Sequence, residues 1–192
     1  LVEGGGSRNY LHTKKLFYTA PEAWKRLMER LAKVVAEYLN CQIAAGAQAV
    51  QLFDSWAGCL TPGDYEQFAL PYTKAVIDAL APGVPVIHFS TGTAGSLKQI
   101  RAAGGDVIGL DWRVHLDEAW ATVGHDVAVQ GNLDPVALFA SSKEIKTRAA
   151  DILRRAAGRP GHIFNLGHGV LPETPVHNVI ALVEAVHELS AR

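Results

Sequence analysis

The sequence predicts an α/β fold of the (β/α)8 barrel type, of which this chain supplies about five consecutive βα units preceded by a helix. One observation is that apolar periodicity alternates along the chain between about two and about 3.6 residues. A second is that the predicted strands begin near residues 49, 84, 107, 127 and 162, at the spacing of a βα repeat. Periodicity alone leaves an open doubly wound sheet as an alternative. The third observation, polar side chains at the end of every predicted strand, favours the barrel, because barrels gather functional groups from many strand ends.

Five short apolar or β-branched runs have the length of buried strands. They cover residues 49–53, 84–89, 107–110, 127–129 and 162–164. Helical periodicity covers residues 64–80, with Pro71 as a kink, and residues 94–103, 116–123, 142–157 and 175–190. Each strand is therefore followed by a helix, which makes parallel pairing through right-handed crossovers the expected arrangement.

A long amphipathic helix over residues 21–45 is expected before the first strand. Thr19 is its predicted N-cap, Pro21 lies in its first turn, and Glu22 lies near the positive end of the helix dipole. Gly46 is expected to end this helix.

Composition and charge describe an ordinary globular protein with one domain. Apolar residues make up 48% of the chain and charged residues 19%. Because 18 basic side chains balance 19 acidic ones, no global field attracts nucleic acid or an anionic membrane. No apolar run reaches the roughly 20 residues that a membrane span needs. Cys41 and Cys59 are too few for a disulfide framework, and they fit a reducing cytoplasm.

Polar side chains close all five predicted strands, which predicts a polar pocket at one end of the barrel. These groups are Asp54-Ser55-Trp56, His88 with Ser90, Asp111-Trp112-Arg113, Gln130-Gly131-Asn132 and Asn165-Leu166-Gly167-His168-Gly169. Ser55 lies in no Gly-x-Ser-x-Gly elbow, so hydrogen bonding to a ligand is a better interpretation than nucleophilic attack. Asp54 is interpreted as a structural acceptor at its strand end. Asp111 and Arg113 are interpreted as an internal ion pair beside a packed indole.

His168 stands between two glycines. That setting allows the backbone to approach a ligand closely and an imidazole to project into a cavity. A loop histidine that holds a turn is the alternative, and the residues alone do not decide between the two.

Two glycine-rich segments, residues 4–6 and 92–95, match no nucleotide-binding fingerprint and are expected to be mobile loops. The second opens a helix and could hold an anion there. The His-x-Cys pair of a zinc thiolate site is absent, because Ser90 follows His88 and Phe89. A metal site is therefore disfavoured.

Six motifs carry a resemblance to a known family. They are Glu3-Gly4-Gly5-Gly6-Ser7, Gly46-Ala47-Gln48-Ala49 running through Phe53-Asp54-Ser55-Trp56-Ala57-Gly58, Leu70-Pro71-Tyr72, Gly109-Leu110-Asp111-Trp112, Gln130-Gly131-Asn132-Leu133-Asp134-Pro135 and Asn165-Leu166-Gly167-His168-Gly169. Together, in this order and spacing, they resemble the uroporphyrinogen decarboxylase family over essentially the whole chain. The resemblance implies a single (β/α)8 barrel that is a homodimer in the cytoplasm. It also implies removal of the four acetate carboxyl groups of uroporphyrinogen III, giving coproporphyrinogen III without a metal or organic cofactor.

The resemblance further implies that Ser55 and His168 hydrogen-bond to carboxylates of the tetrapyrrole substrate. The family's catalytic aspartate and its arginines would lie upstream of Leu1, so the chain is expected to carry no catalytic residue itself. Residues 1–192 are accordingly expected to be the C-terminal part of one barrel domain, and to be inactive alone. In the family's chemistry, protonation of a pyrrole carbon gives a cation that accepts the electrons of the departing carboxylate, and a buried carboxylate stabilises that cation.

Two other hypotheses stay open. Relatives with the same barrel act as zinc-dependent methyltransferases on corrinoid or thiol substrates through a His-x-Cys pair, whose thiol position is Ser90 here. Stoichiometric zinc or thiol alkylation would favour that activity. The other hypothesis is a non-enzymatic assembly unit. Because five strands of a barrel leave two open edges, the chain is expected to associate with itself or with a partner.

Overall fold

The computed structural model describes residues 1–191. Its centre is one sheet of five parallel strands that lie side by side in the order of the sequence. They are β1 (Val50–Asp54), β2 (Val86–Ser90), β3 (Val107–Gly109), β4 (Ala128–Leu133) and β5 (His162–Leu166). A sequential parallel order requires a crossover after each strand, so the predicted α/β fold with five βα units is confirmed.

In the described part of the chain, residues 1–191, eight α-helices connect and flank the strands. They are α1 (Leu11–Thr19), α2 (Pro21–Ala44), α3 (Pro62–Phe68), α4 (Leu70–Asp78), α5 (Leu97–Ala103), α6 (Leu116–Val123), α7 (Ser142–Ala156) and α8 (Val176–Ser190). Within residues 1–191, none of these helices combines the length and the apolar character that crossing a membrane requires.

The single kinked helix predicted over residues 64–80 is wrong, because the structure has two helices there. The first, α3, begins at Pro62, and the Thr61 hydroxyl caps it by accepting from the Asp64 backbone N–H at 3.1 Å. Ala69, with φ −124° and ψ −51°, separates it from α4. Pro71 lies in the first turn of α4. Backbone N–H groups there have no acceptor within the helix, so the N–H that proline lacks costs no helical hydrogen bond. This proline therefore starts a helix instead of bending one.

The helix before the first strand begins at the predicted residue but has a different N-cap. It begins at Pro21, and its N-cap is Ala20 rather than the predicted Thr19. Thr19 is the last residue of α1, a helix that the sequence pattern does not indicate, and its hydroxyl donates to the Lys15 carbonyl at 2.7 Å. The predicted cap is thus already engaged in the preceding helix.

One face of the sheet is covered by helices and forms the main core. Side chains alternate between the two faces of a strand, and Val50, Val86, Ile108 and Val129 all point to the covered face, where they are buried. Trp120 of α6 is part of this core, and its indole N–H donates to the Val127 carbonyl at 2.8 Å. This arrangement leaves the other face of the sheet without a helical layer.

The second face is open and curved. Phe53 on β1 is 67% exposed and Ile163 on β5 is 43% exposed. The side chain of Gln130 on β4 donates to that of Gln51 on β1 at 3.3 Å, although two strands separate them. In a flat sheet such side chains would stay about 14 Å apart. The open face is therefore concave, as the inner face of a barrel is, and within residues 1–191 β1 and β5 each leave one edge unpaired.

Candidate functional site

His168 lies just after β5, at the C-terminal end of the sheet. Its exposed imidazole contacts two aromatic rings, with centroid distances of 6.4 Å to Phe89 and 6.2 Å to Trp112. The ring Nδ1 accepts from the backbone N–H of Gly169 at 2.8 Å. In the neutral ring this leaves the proton on Nε2, a donor that has no hydrogen-bond acceptor among residues 1–191.

The glycines on either side of His168 have different surroundings. A Cβ atom at Gly167 would collide with the backbone nitrogen of Trp112, whereas one at Gly169 would meet nothing within 4 Å. The close approach at Gly167 is thus made to the protein's own chain, not to a ligand as the sequence suggested. It fixes the start of the His168 loop against Trp112.

Phe53 and Phe89 belong to the same surface, and the sequence interpretation missed both. They are register partners on β1 and β2, and their rings contact edge to face at 5.9 Å. Together with His168 and Trp112 they form a row of rings across the open face, which we call the ring row. The signal that could have found them is their strand position, since side chains two residues apart share a face.

Ser55 follows β1 and is half-buried. Its backbone carbonyl accepts from the Thr91 hydroxyl at 2.5 Å. Gly58, three residues later, lies so close to Thr91 and Gly92 that a Cβ there would collide with their backbone. These contacts fasten the loop after β1 to the loop after β2. Ser55 and His168 share the C-terminal end of the sheet but follow opposite edge strands, and no hydrogen bond joins them within residues 1–191.

Asp54 is the last residue of β1. Loss of water around the half-buried carboxyl raises its pKa to about 6, although the nearby Tyr65 hydroxyl favours the ionised form. The Tyr65 hydroxyl is buried, and among residues 1–191 no partner lies within hydrogen-bonding geometry of it. Tyr65 is the neighbouring side chain that favours the ionised Asp54, and the role of Asp54 as a structural acceptor at its strand end stays a prediction.

A cavity of about 650 Å³ opens beside Asp54. The N-terminal segment, α1, α2 and the loop after β1 enclose it, and most of its lining is apolar. Cys59 contributes to the lining, and burial raises the pKa of this thiol.

Asp111 forms the predicted ion pair. Its buried carboxylate accepts from the Arg113 guanidinium at 2.7 Å and from the Arg113 backbone N–H at 2.9 Å. The guanidinium lies 3.9 Å above the Trp112 ring, so the packed indole is confirmed as well. The backbone N–H of Gly92 also donates to this carboxylate, at 2.5 Å. The anion at the glycine-rich loop is therefore Asp111 itself, and the loop expected to be mobile is anchored.

The side chains of Asn132 and Gln130 on β4 form hydrogen bonds to other strands and loops of the protein. The Asn132 amide donates to the carbonyl oxygens of Asp111 and Val114 at 2.9 and 2.8 Å. Gln130 donates to Gln51 across the open face. Both polar side chains at this strand end are thus engaged within the protein.

The polar residues of β2 lie on the covered face, away from the ring row. His88 is fully buried, and neither ring nitrogen has a hydrogen-bond partner among residues 1–191. Burial lowers the pKa of His88 to about 4, so the ring is neutral at physiological pH. The Ser90 and Thr93 hydroxyls hydrogen-bond to each other at 2.8 Å. The expectation that every polar strand end contributes to one pocket is therefore wrong for β2.

Fold and site together define a protein of the (β/α) barrel class, with its exposed functional groups at the C-terminal ends of the strands. Comparison with solved structures agrees. A methyltransferase from Methanosarcina mazei superposes with a TM-score of 0.76 over 90% of this chain and 54% of its own. At 19% sequence identity this likeness shows the fold alone, and it does not favour the methyltransferase hypothesis.

The sequence matches the profile of the family described as Uroporphyrinogen decarboxylase (URO-D) over residues 1–189. Proteins named uroporphyrinogen decarboxylase are 59% identical in Carboxydothermus hydrogenoformans, 57% in Roseiflexus sp. and 53% in Solibacter usitatus. These matches include 98–100% of this chain. The chain therefore belongs to the uroporphyrinogen decarboxylase family, and it spans 55–56% of the length of these relatives.

Proposed function

We propose that this chain forms the C-terminal part of the barrel of a uroporphyrinogen decarboxylase. The complete enzyme would remove the four acetate carboxyl groups of uroporphyrinogen III and release coproporphyrinogen III in tetrapyrrole biosynthesis. Membership of the family supports this activity, as do relatives of that name at 53–59% identity. The five-stranded sheet with unpaired edges at β1 and β5 supports a requirement for further βα units before a closed pocket exists.

His168 and Ser55 are the proposed substrate contacts. The observation that carries the proposal is the His168 ring, which is exposed beside Phe89 and Trp112 and has an Nε2–H available for a carboxylate. Ser55 offers a hydroxyl at the same end of the sheet, on a backbone that Thr91 holds in place. Hydrogen bonds to charged acceptors contribute about 1.5–3 kcal/mol each, so two such contacts suit a substrate with many carboxylates.

The role proposed for this part of the barrel is binding and orientation. In each decarboxylation the bond between the methylene and carboxyl carbons breaks, CO2 leaves, and a proton takes its place on the carbon. The electrons pass into a pyrrole ring that has first been protonated, and a buried carboxylate stabilises the resulting cation. We assign that carboxylate to the part of the enzyme that completes the barrel, and we assign no metal or organic cofactor to the reaction.

The cytoplasm and a homodimeric assembly are the proposed setting. Cys41 and Cys59 are both free thiols, which suits a reducing compartment. Homodimerisation is the state that the family resemblance implies.

The test is conversion of uroporphyrinogen III by the complete protein that carries this chain, followed by chromatography of the oxidised products. His168→Ala and Ser55→Ala should each raise KM about tenfold or more without lowering thermal stability. Matched controls are His177→Ala and Ser142→Ala, which change exposed residues of α8 and α7. Failure of the complete protein to form coproporphyrinogen would overturn the proposed activity. Unchanged kinetics in either site variant would overturn the role of that residue.

A further inference from the structure

We infer that Asp111, Trp112 and Arg113 form a positioning unit that holds the His168 imidazole in the orientation that a substrate carboxylate requires. This inference rests on the proposed function of His168. Asp111 is buried, Trp112 is half-buried and Arg113 is paired with Asp111, so we assign these three residues no contact with substrate and treat them as positioning residues.

The unit is fixed at its base by Asp111. Only 3% of the Asp111 side chain is exposed, and its carboxylate accepts three hydrogen bonds, two from Arg113 and one from Gly92. Asn132 on the neighbouring strand donates to the Asp111 carbonyl at 2.9 Å. A residue after β2 and a residue within β4 therefore anchor a segment that itself follows β3.

Arg113 connects the Asp111 carboxylate to the Trp112 indole. Its guanidinium pairs with Asp111, and at the same time its Cζ lies over the Trp112 ring, 3.9 Å from the ring centroid. A planar cation held between a carboxylate and an aromatic face restricts the indole from one side. Lysine at this position would keep the positive charge, but its ammonium group lacks the planar face that a guanidinium presents to an indole.

Trp112 transmits this restriction to His168 in two ways. The two rings meet nearly edge to face, with 6.2 Å between centroids and 81° between planes. The backbone of Trp112 also touches Gly167, which directly precedes His168. Phe89 also contacts the imidazole edge to face, at 6.4 Å between centroids, so two aromatic neighbours restrict the ring.

Confinement matters because His168 is on an exposed loop. A binding group that is already oriented loses less rotational freedom when the substrate arrives, so the substrate binds more tightly. Loss of the aromatic neighbour should weaken binding about three- to tenfold, the range of a single aromatic contact. The effect should fall mainly on KM, because His168 is proposed to bind substrate and not to react with it.

The experiment uses the complete protein and two independent measurements. NMR of labelled histidine reports the environment of the His168 ring in the absence of substrate, and steady-state kinetics reports KM and kcat. Trp112→Leu and Arg113→Gln should both shift the His168 ring signals and raise KM. Trp112→Phe should restore most of the wild-type KM. Arg113 is largely exposed, so its substitution avoids the folding risk of changing buried Asp111.

The matched controls change similar residues elsewhere. Trp56→Leu removes an exposed indole that contacts Tyr10, and Asp126→Asn breaks a surface ion pair with Arg101. Neither control should shift the His168 signals. Unmoved His168 signals in both folded site variants would overturn the positioning role. Shifted signals with unchanged KM would instead uphold the positioning of His168 and contradict its proposed contact with substrate.

Discussion

Gln51 and Gln130 join strands that are not neighbours. The amide of Gln130 on β4 lies 3.3 Å from the side-chain oxygen of Gln51 on β1, with β2 and β3 between their backbones. Gln130 is buried and Gln51 is half-buried. The bond crosses the concave face, so it is present only while the sheet stays curved.

This bond should contribute to stability as a pair. Gln51→Leu or Gln130→Leu alone leaves one amide without its partner and should lower the free energy of unfolding by about 1 kcal/mol. The double variant should lose less than the sum of the two, because no unpaired amide remains. Urea unfolding of the four proteins measures the coupling. Strict additivity would show that the two amides do not interact in solution.

His88 should make the fold sensitive to acid. In the unfolded chain its imidazole titrates near its ordinary pKa of about 6.5, whereas burial holds the folded pKa at about 4. Between these values the unfolded chain binds a proton that the folded chain does not. Stability is therefore lost as the pH falls from about 6.5 towards 4, by about 3 kcal/mol in all.

The measurement is urea unfolding of the wild type and of His88→Leu at several pH values. The stability difference, wild type minus variant, should decrease as the pH falls through that range. A difference that is independent of pH would contradict a neutral buried imidazole. His162 is partly buried and its pKa is also lowered, so comparison with the single variant is needed to isolate His88.

Asp54 should act in the opposite sense. Burial raises its folded pKa to about 6, from an ordinary value of 3.8. Between the two values the folded chain holds a proton that the unfolded chain has released, so stability is lost as the pH rises from about 4 to 6. Asp54→Asn should remove this loss. The free energy of unfolding of the variant, relative to that of the wild type, should therefore rise by about 3 kcal/mol as the pH goes from about 4 to 6. A constant difference between the two proteins would indicate that the Asp54 carboxyl stays hydrated.

The main strand and helix positions follow from sequence because they depend on local periodicity. Helix α6 has the predicted bounds, and all five strands begin within two residues of their predicted starts. The missed helix α1 has little amphipathic signal and buries only Phe17. Its presence depends on the packing of Phe17 against Trp24 of α2 and Phe68 of α3. Local periodicity within residues 11–19 does not report these contacts.

The site was predictable only in part, for a related reason. The ion pair of Asp111 with Arg113 spans two residues and could be inferred locally. The hydrogen bond from Gly92 to Asp111 spans 19 residues and depends on how two strands align. Sequence pattern also does not tell which face a strand residue occupies when both faces are apolar, so His88 was expected in the pocket although it points to the helices.

Gly167 and Gly169 offer a direct test of the close approach beside His168. A methyl group at Gly167 would collide with the Trp112 backbone, which cannot move aside without shifting the anchored segment. Gly167→Ala should therefore lower the free energy of unfolding by about 1–3 kcal/mol. Gly169→Ala, with open space around it, is the matched control and should be within about 0.5 kcal/mol of the wild type. Equal stabilities of the two variants would contradict the contact.

The open edges of the sheet should make the chain associate when it is studied alone. Backbone groups on the outer sides of β1 and β5 have no strand partner within residues 1–191, and such edges pair readily with other chains. Each edge strand also carries an exposed apolar side chain, since Phe53 on β1 is 67% exposed and Ile163 on β5 is 43% exposed. Sedimentation velocity should therefore give a mass that rises with concentration above the 20.6 kDa of one chain.

Ile163→Lys distinguishes edge pairing from unspecific aggregation. A charged side chain on an edge strand opposes pairing with another strand, so this variant should remain at lower mass than the wild type at equal concentration. The matched control is Ile180→Lys, which places the same charge at an exposed position of α8, away from the sheet. If both variants lowered the mass equally, general apolar contact would explain the association. A wild-type chain that stayed monomeric at all concentrations would show that its edges are protected.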